Sequence, residues 1–205
     1  SGCGKSVLMK TIEGLFFPLS GKIYVDGIDI FSLKRKKMNE IRKRLAMLFQ
    51  GSALLDSLSV FQNVSLPLYE HSDFSEEEIF DKVTEILNIM GLENIFDKMP
   101  AELSGGMKKR VALARAIILR PEYIIYDEPT TGLDPIIANE IINLILKMRK
   151  AYNLTSIIVT HDLDCISKIA GRVAMIQEKK IIFDGSYKEF KNSDDVRVQN
   201  FLRIS

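Results

Sequence analysis

Three short apolar runs in this chain each end on polar residues. Leu45 to Phe49 leads to Gln50, Tyr123 to Tyr126 to Asp127 and Glu128, and Ile157 to Thr160 to His161. Helix-length periodic segments separate these runs, and strands alternating with helices imply a parallel sheet covered on both faces. The expected fold is therefore α/β. In parallel sheets ligands sit beyond the carboxyl ends of the strands, which makes Gln50, Asp127, Glu128 and His161 the first candidates for chemistry.

Local signals fill in the rest. Val7, Leu8, Ile12 and Leu15 recur at helical spacing after a glycine-rich start, until Pro18 stops the pattern. Ile23, Val25 and Ile28 flank Asp26-Gly27 and predict a short hairpin. A basic helix is expected over Met38 to Arg44. From about Gly51 to Lys109 the chain reads as loops and helices. Ser75 with Glu78 makes a capping box ahead of Ile79, Val83, Ile86, Leu87 and Met90, and Gly91 is placed to end that helix. Leu103-Ser104-Gly105-Gly106 opens a helix carrying Val111, Ala112, Ala114, Ala116 and Ile117. Asp134-Pro135 reads as an N-cap with proline at the first helical position. A helix over Leu163 to Ala170, two closing strands (Val173 to Ile176 and Lys180 to Phe183) and a polar helical tail complete the chain.

Composition narrows the functions open to it. The 27 acidic and 28 basic side chains nearly cancel, so no bulk field recruits nucleic acid or an anionic membrane. Cys3 and Cys165 lack ligand-like spacing, which argues against a disulfide framework or zinc site and fits a reducing compartment. No apolar run approaches the roughly 20 residues of a membrane span, and the first residues are not a signal peptide. At a membrane, this chain is expected to dock through a partner.

Ser1-Gly2-Cys3-Gly4-Lys5-Ser6, running into Val7, matches the back of a phosphate-binding loop, G-x-x-x-x-G-K-[ST]. Its glycines let backbone N–H groups curl around phosphate oxygens, Lys5 neutralises β and γ charge, and the Ser6 hydroxyl is a Mg²⁺ ligand. Taken alone, a glycine-rich helix start with no ligand is the alternative. Asp127 at a strand end suits Mg²⁺, and Glu128 beside it suits a general base that polarises the attacking water; in isolation the pair also reads as an acidic turn capping the following loop. Gln50 can reach the metal or the water, and His161 the γ-phosphate. Each of these two, by itself, reads equally well as a loop residue bonding backbone. Ser104-Gly105-Gly106 makes a second anion site at a helix N-terminus or an ordinary cap, and most of Lys108, Lys109, Arg110 and Arg115 read as a solvated face.

In this order and at these separations, the pieces resemble the ATP-binding-cassette (ABC) family over essentially the whole chain. The resemblance makes Gly2 to Ser6 the Walker A remnant, Gln50 the Q-loop and Leu103 to Met107 the signature. Tyr123 to Glu128 is then the Walker B strand, Gly132 to Pro135 the D-loop and His161 the switch histidine. It implies a P-loop NTPase (RecA-like) core over 1–50 and 110–205, and an inserted helical subdomain over 51–109. It also implies a head-to-tail homodimer with Mg-ATP between Walker A of one subunit and Ser104 to Gly106 of the other. Glu128 is the implied general base, and Asp134 links the two sites. By the same likeness the chain lacks the first Walker A residues, the preceding strands and the adenine-stacking aromatic, and is expected to fold or bind ATP poorly by itself. Met107 stands where most relatives have glutamine.

A narrower likeness rests on Leu103 to Met107 followed by Lys109-Arg110, on Met47 to Leu54, and on Val60 to Val64. These resemble the ATPases of Mla and MCE-type phospholipid transporters. The implied partners are an integral-membrane permease, docked on Gly51 to about Glu70, and an MCE-domain lipid-binding protein, with the ATPase on the cytoplasmic face of the inner membrane. Another importer or a lipoprotein-release ATPase is the runner-up. A soluble ABC ATPase predicts a coiled-coil insertion or a second cassette, and neither is seen. A scaffold without turnover has no use for Glu128, Gln50 and His161.

Overall fold

The computed structural model describes residues 4–204; of Ser6 and Ile204 it describes the backbone alone. Its centre is a three-stranded parallel sheet in the order β3-β4-β5, formed by Leu45–Leu48, Tyr123–Asp127 and Thr155–Val159. Leu48 is in register with Tyr126, and Asp127 with Val159, so the carboxyl ends of the strands are level. Before this sheet, α1 (Lys5–Ile12) leads to a hairpin of β1 (Tyr24–Val25) and β2 (Ile28–Asp29), then to α2 (Arg35–Arg44). Asp26 (φ 49°) and Gly27 (φ 77°) make the expected tight turn, since two successive left-handed residues match the twist of paired strands.

The central strand β4 is buried on both faces, but the expected cover is incomplete at β5, where Ile157 is 42% exposed. Ile125 and Val159 pack with Met9 of α1 on one side. Ile124 and Tyr126, one residue out of phase, join the large cluster built by the helices. Those helices are α3 (Val60–His71), α4 (Glu76–Ile89), α5 (Gly105–Ile117) and α6 (Pro135–Tyr152). Val64, Val83, Val111, Leu113 and Ile145 are wholly buried in this cluster. Full burial of an aliphatic side chain contributes about 1.5–3 kcal/mol, which makes the cluster the main stabilising unit.

Helix ends follow their caps. Ser75 and Glu78 form the reciprocal box that opens α4, and Gly91 (φ 66°) follows its end. Asp134 accepts hydrogen bonds from the amides of Ile136 and Ile137, with Pro135 in the first turn of α6. Ser59 and Gln62 form a further box at α3, and Pro67 lies inside that helix.

Several expectations are corrected. The first helix ends at Ile12, short of Pro18, because the chain turns at Gly14 (φ 71°). Val7 and Leu8 are exposed, and Met9 makes the core contact instead. The basic helix starts at Arg35, one turn before Met38. After α7 (Leu163–Ile169), β6 (Val173–Gln177) and β7 (Lys180–Gly185) pair antiparallel with each other and form a separate two-stranded sheet. The short connection between them suits a hairpin and cannot carry a parallel crossover. Two helices follow, α8 (Tyr187–Lys191) and α9 (Val196–Ile204).

Candidate functional site

Adjacent strands lie about 5 Å apart, so the level ends of β3, β4 and β5 bring their following residues within roughly 10 Å of one another. Gln50, Asp127, Glu128 and His161 therefore meet along one edge. Asp127 and Glu128 are both buried, at 9% exposure. Glu128 adopts a left-handed backbone (φ 49°), unfavourable for a residue with a Cβ and costing on the order of 1–3 kcal/mol. Its amide donates to the Val159 carbonyl at 2.8 Å, which holds the kink to β5.

The Glu128 carboxylate has two defined neighbours. Oε1 lies 2.9 Å from Nδ1 of His161, and Oε2 accepts from Oγ1 of Thr131 at 3.1 Å. Each oxygen of an ionised carboxylate keeps further acceptor capacity, so Glu128 can still take a hydrogen bond, and then a proton, from a water in front of it. His161 is 66% exposed at its side chain against 12% for Glu128, so the pair joins a buried carboxylate to a solvent-facing ring. Thr130 donates to Asp162 at 2.8 Å, and Asp162 caps α7, which braces the loop behind His161.

Burial, and then repulsion from Glu128, raise the pKa of Asp127; Lys5, Lys109 and Lys10 oppose the rise. A cation placed there stabilises the ionised form. Lys5 is the first residue of α1, whose N-cap Gly4 has φ 92° and open space where a Cβ would stand. Only glycine adopts that conformation freely, and the bare helix N-terminus behind it favours an anion. Lys5 and His161 also line a common groove of 540 Å³. Ser1, Gly2, Cys3 and the side chain of Ser6 lie outside what is described, so this part of the phosphate loop is represented by Gly4, Lys5 and Val7, the last exposed.

Among the described residues no group of three or more His, Cys, Asp or Glu side chains could cage a metal. Mg²⁺ takes one or two carboxylates and completes its shell with phosphate and water. Asp127 and the side chain of Gln50, exposed at the end of β3, are the oxygen donors available.

Ser104, Gly105 and Gly106 stand apart from this edge. Ser104 caps α5 by accepting from the Met107 amide at 3.3 Å. Ser104 and Gly106 border a separate pocket with Leu92, Ile95, Met107 and Ile137, which contains none of the strand-end residues. Asp134 is likewise occupied as the cap of α6. The helix start at Ser104 to Gly106 and the groove of Lys5 and His161 are thus lined by different residues.

Two cations expected on a solvated face are not there. Lys109 is 4% exposed and bonds main-chain oxygens of Gln50 and Glu128. Arg115 donates to the carbonyls of Ser52 and Ala53, at 3.1 and 2.8 Å. The signal the sequence contained is that Val111, Ala112, Leu113, Ala114 and Ile117, all buried, spread around the whole circumference of the helix and leave no wholly solvated face.

A glycine-started helix with a lysine at its first position, and an Asp-Glu pair at the end of a buried central strand, together define a P-loop nucleotide-hydrolysing cassette. Residues 1–131 match the ABC transporter family model, and the chain belongs to that family as an ATP-binding, ATP-hydrolysing subunit. It is 44% identical over 99% of its length to the intermembrane phospholipid transport system ATP-binding protein MlaF of Haemophilus influenzae, covering 77% of that protein. The MlaF of Escherichia coli K12 is 39% identical over 98% of the chain and 75% of the relative. A methionine import ATP-binding protein, MetN 2 of Bacillus anthracis, is 38% identical over 99% of the chain, which spans 60% of that protein. A dimeric ATP-binding cassette in a post-hydrolysis state bound to ADP and Pi superposes with a TM-score of 0.81 and 30% identity, over 90% of this chain and 81% of the other. CbiO1 from Clostridium perfringens, part of an ABC transporter complex, gives 0.84 and 35% over 100% and 81%.

Proposed function

We propose that this chain is the motor subunit of a phospholipid transporter, hydrolysing Mg-ATP in a head-to-tail homodimer docked on a membrane permease. The observation that carries the catalytic reading is the seating of Glu128 between His161 and Thr131 at the end of β4, with His161 and Lys5 lining one groove. Glu128 is the general base. His161 holds its carboxylate and meets the γ-phosphate. Lys5, with Ser1, Gly2, Cys3, Gly4, Ser6 and Val7, receives the phosphates. Ser6, Gln50 and Asp127 would hold Mg²⁺, which when bound offsets phosphate charge. The separation of Ser104 to Gly106 from these groups supports an arrangement in which each nucleotide takes its second set of donors from another copy, with Asp134 beside the junction.

The domain division is part of the same proposal: 1–50 and 110–205 make the nucleotide-binding core and 51–109 the helical unit, with α5 crossing the boundary. Gly51 to about Glu70 receives the permease. No helix among the described residues is long and apolar enough to cross a membrane, which fits peripheral attachment through that permease at the cytoplasmic face. Near-neutral charge gives no support to a nucleic-acid partner. The phospholipid cargo and an MCE-domain partner rest on the likeness to MlaF. An importer of small molecules is the second reading, favoured by the likeness to MetN.

The test is a mild-detergent purification of the full-length protein from its native membrane, with proteins and lipids identified. A permease recovered with an MCE-domain protein and phospholipid is the expected result. A permease with a periplasmic amino-acid receptor refutes the lipid cargo, and the absence of any membrane protein refutes the motor.

A further inference from the structure

Helix α5 presents two cations to the loops that follow β3 and β4, and the chemistry described above uses neither. Lys109 is buried, and its ammonium donates to the main-chain oxygen of Gln50 and, at 3.4 Å, to that of Glu128. Burial lowers its pKa, and the carboxylates of Asp127 and Glu128 oppose the shift. Further along the helix Arg115 binds the carbonyls of Ser52 and Ala53 and Oδ1 of Asn63.

The segments they hold share a conformation. Glu128, Ser52 and Ala53 have φ of 49°, 64° and 48°. Residues with a Cβ stay in the left-handed region only where their surroundings hold them. A buried ammonium likewise needs acceptors, since leaving it unpaired is costly. Gln50 and Glu128 follow neighbouring strands, so a single cation bonded to both carbonyls sets the distance between the loops that carry them. The same cation is fixed to the helix that begins at Ser104.

We infer that Lys109 is a positioning residue, linking the helix that carries Ser104 to Gly106 to the loops of Gln50 and Glu128 so that the base is held in place when the second anion site is engaged. This rests on the reading of Glu128 as general base. If Lys109 only filled space, methionine, of similar length and apolar, would replace it without loss.

The test compares Lys109→Met and Lys109→Gln with wild type and Glu128→Gln, all in the full-length ATPase assembled with its membrane partner. The readouts are kcat, KM for ATP and nucleotide bound per subunit. For Lys109→Met, kcat per bound nucleotide is expected to fall about tenfold to a hundredfold with KM changed less than about twofold, the range seen when supports behind catalytic groups are removed. Lys109→Gln retains an N–H donor and is expected to recover part of that loss. Wild-type kcat per bound nucleotide in Lys109→Met, beside an inactive Glu128→Gln, overturns the positioning role alone. Equal losses in both Lys109 variants, matched by equal losses of bound nucleotide, overturn it as well. An active Glu128→Gln removes the base, and this inference with it.

Discussion

The two glycines of the α5 N-terminus differ in a way that a paired substitution can measure. A Cβ built on Gly106 falls 2.6 Å from Cγ2 of Ile137, well inside contact distance, so the Ile137 side chain or the turn of α6 that carries it has to shift. A Cβ on Gly105 meets Cδ2 of Leu133 at 3.4 Å, an ordinary contact. Both glycines occupy the same helical turn, so the gain in helix propensity from Gly→Ala, about 1 kcal/mol in a helix interior, is largely shared. The difference between Gly105→Ala and Gly106→Ala then isolates the collision, which for one excess methyl in a packed site costs about 1–3 kcal/mol. For a chain of this size that is a melting temperature roughly 2–12 °C lower for Gly106→Ala. In the Ile137→Ala background, where the obstructing methyl is gone, Gly106→Ala should cost markedly less than it does in wild type. Thermal unfolding of the full-length protein, followed by circular dichroism, reads all five proteins. Equal melting of the two single glycine variants, or an equal cost of Gly106→Ala with and without the Ile137 side chain, would refute the packing of α5 against α6.

Two further outcomes follow from buried polar groups. Asn63 is fully buried and bonds Leu55 through both its amide nitrogen and its oxygen, as well as the carbonyls of Leu58 and Ser59. At about 1 kcal/mol per lost bond, Asn63→Ala should cost roughly 3 kcal/mol or more and raise hydrogen exchange at Leu55; unchanged exchange and stability contradict this. Burial pushes Glu13 up to about 7, against the pull of Arg42 and Lys10, and its Oε2 has no hydrogen-bond partner. Between the ordinary 4.5 and about 7 the folded state keeps a proton that the unfolded state has lost, so wild type loses stability as pH rises through that window. Urea midpoints of Glu13→Gln, which lacks this ionisation, should overtake those of wild type across it; parallel curves contradict the burial of Glu13.

Much of this is legible in the sequence because it is local. Capping at Ser75 and Asp134, the turn at Asp26-Gly27 and the apolar runs before Gln50, Glu128 and His161 need only neighbours in sequence. What required the fold was the meeting of distant segments. The chain separates Glu128 from His161 by a whole helix and strand, and only the parallel register brings their side chains to 2.9 Å. Lys109 and Arg115 look like surface charges when their charge is read first, because nothing local shows the carbonyls of Gln50, Glu128, Ser52 and Ala53 that receive them. Val7 and Leu8 failed in the opposite sense: apolar residues at helical spacing do not choose a face until the sheet is placed, and Met9 is the one that meets Ile125.

The role proposed for Glu128 is to remove the proton from the attacking water. Its most direct test is steady-state and single-turnover ATP hydrolysis by full-length Glu128→Gln beside wild type, with nucleotide binding measured on the same samples. The amide keeps the size of the side chain and can still bond His161, but it cannot take a proton. Turnover is expected to fall about a hundredfold or more while ATP remains bound. Hydrolysis at the wild-type rate would remove Glu128 from the mechanism.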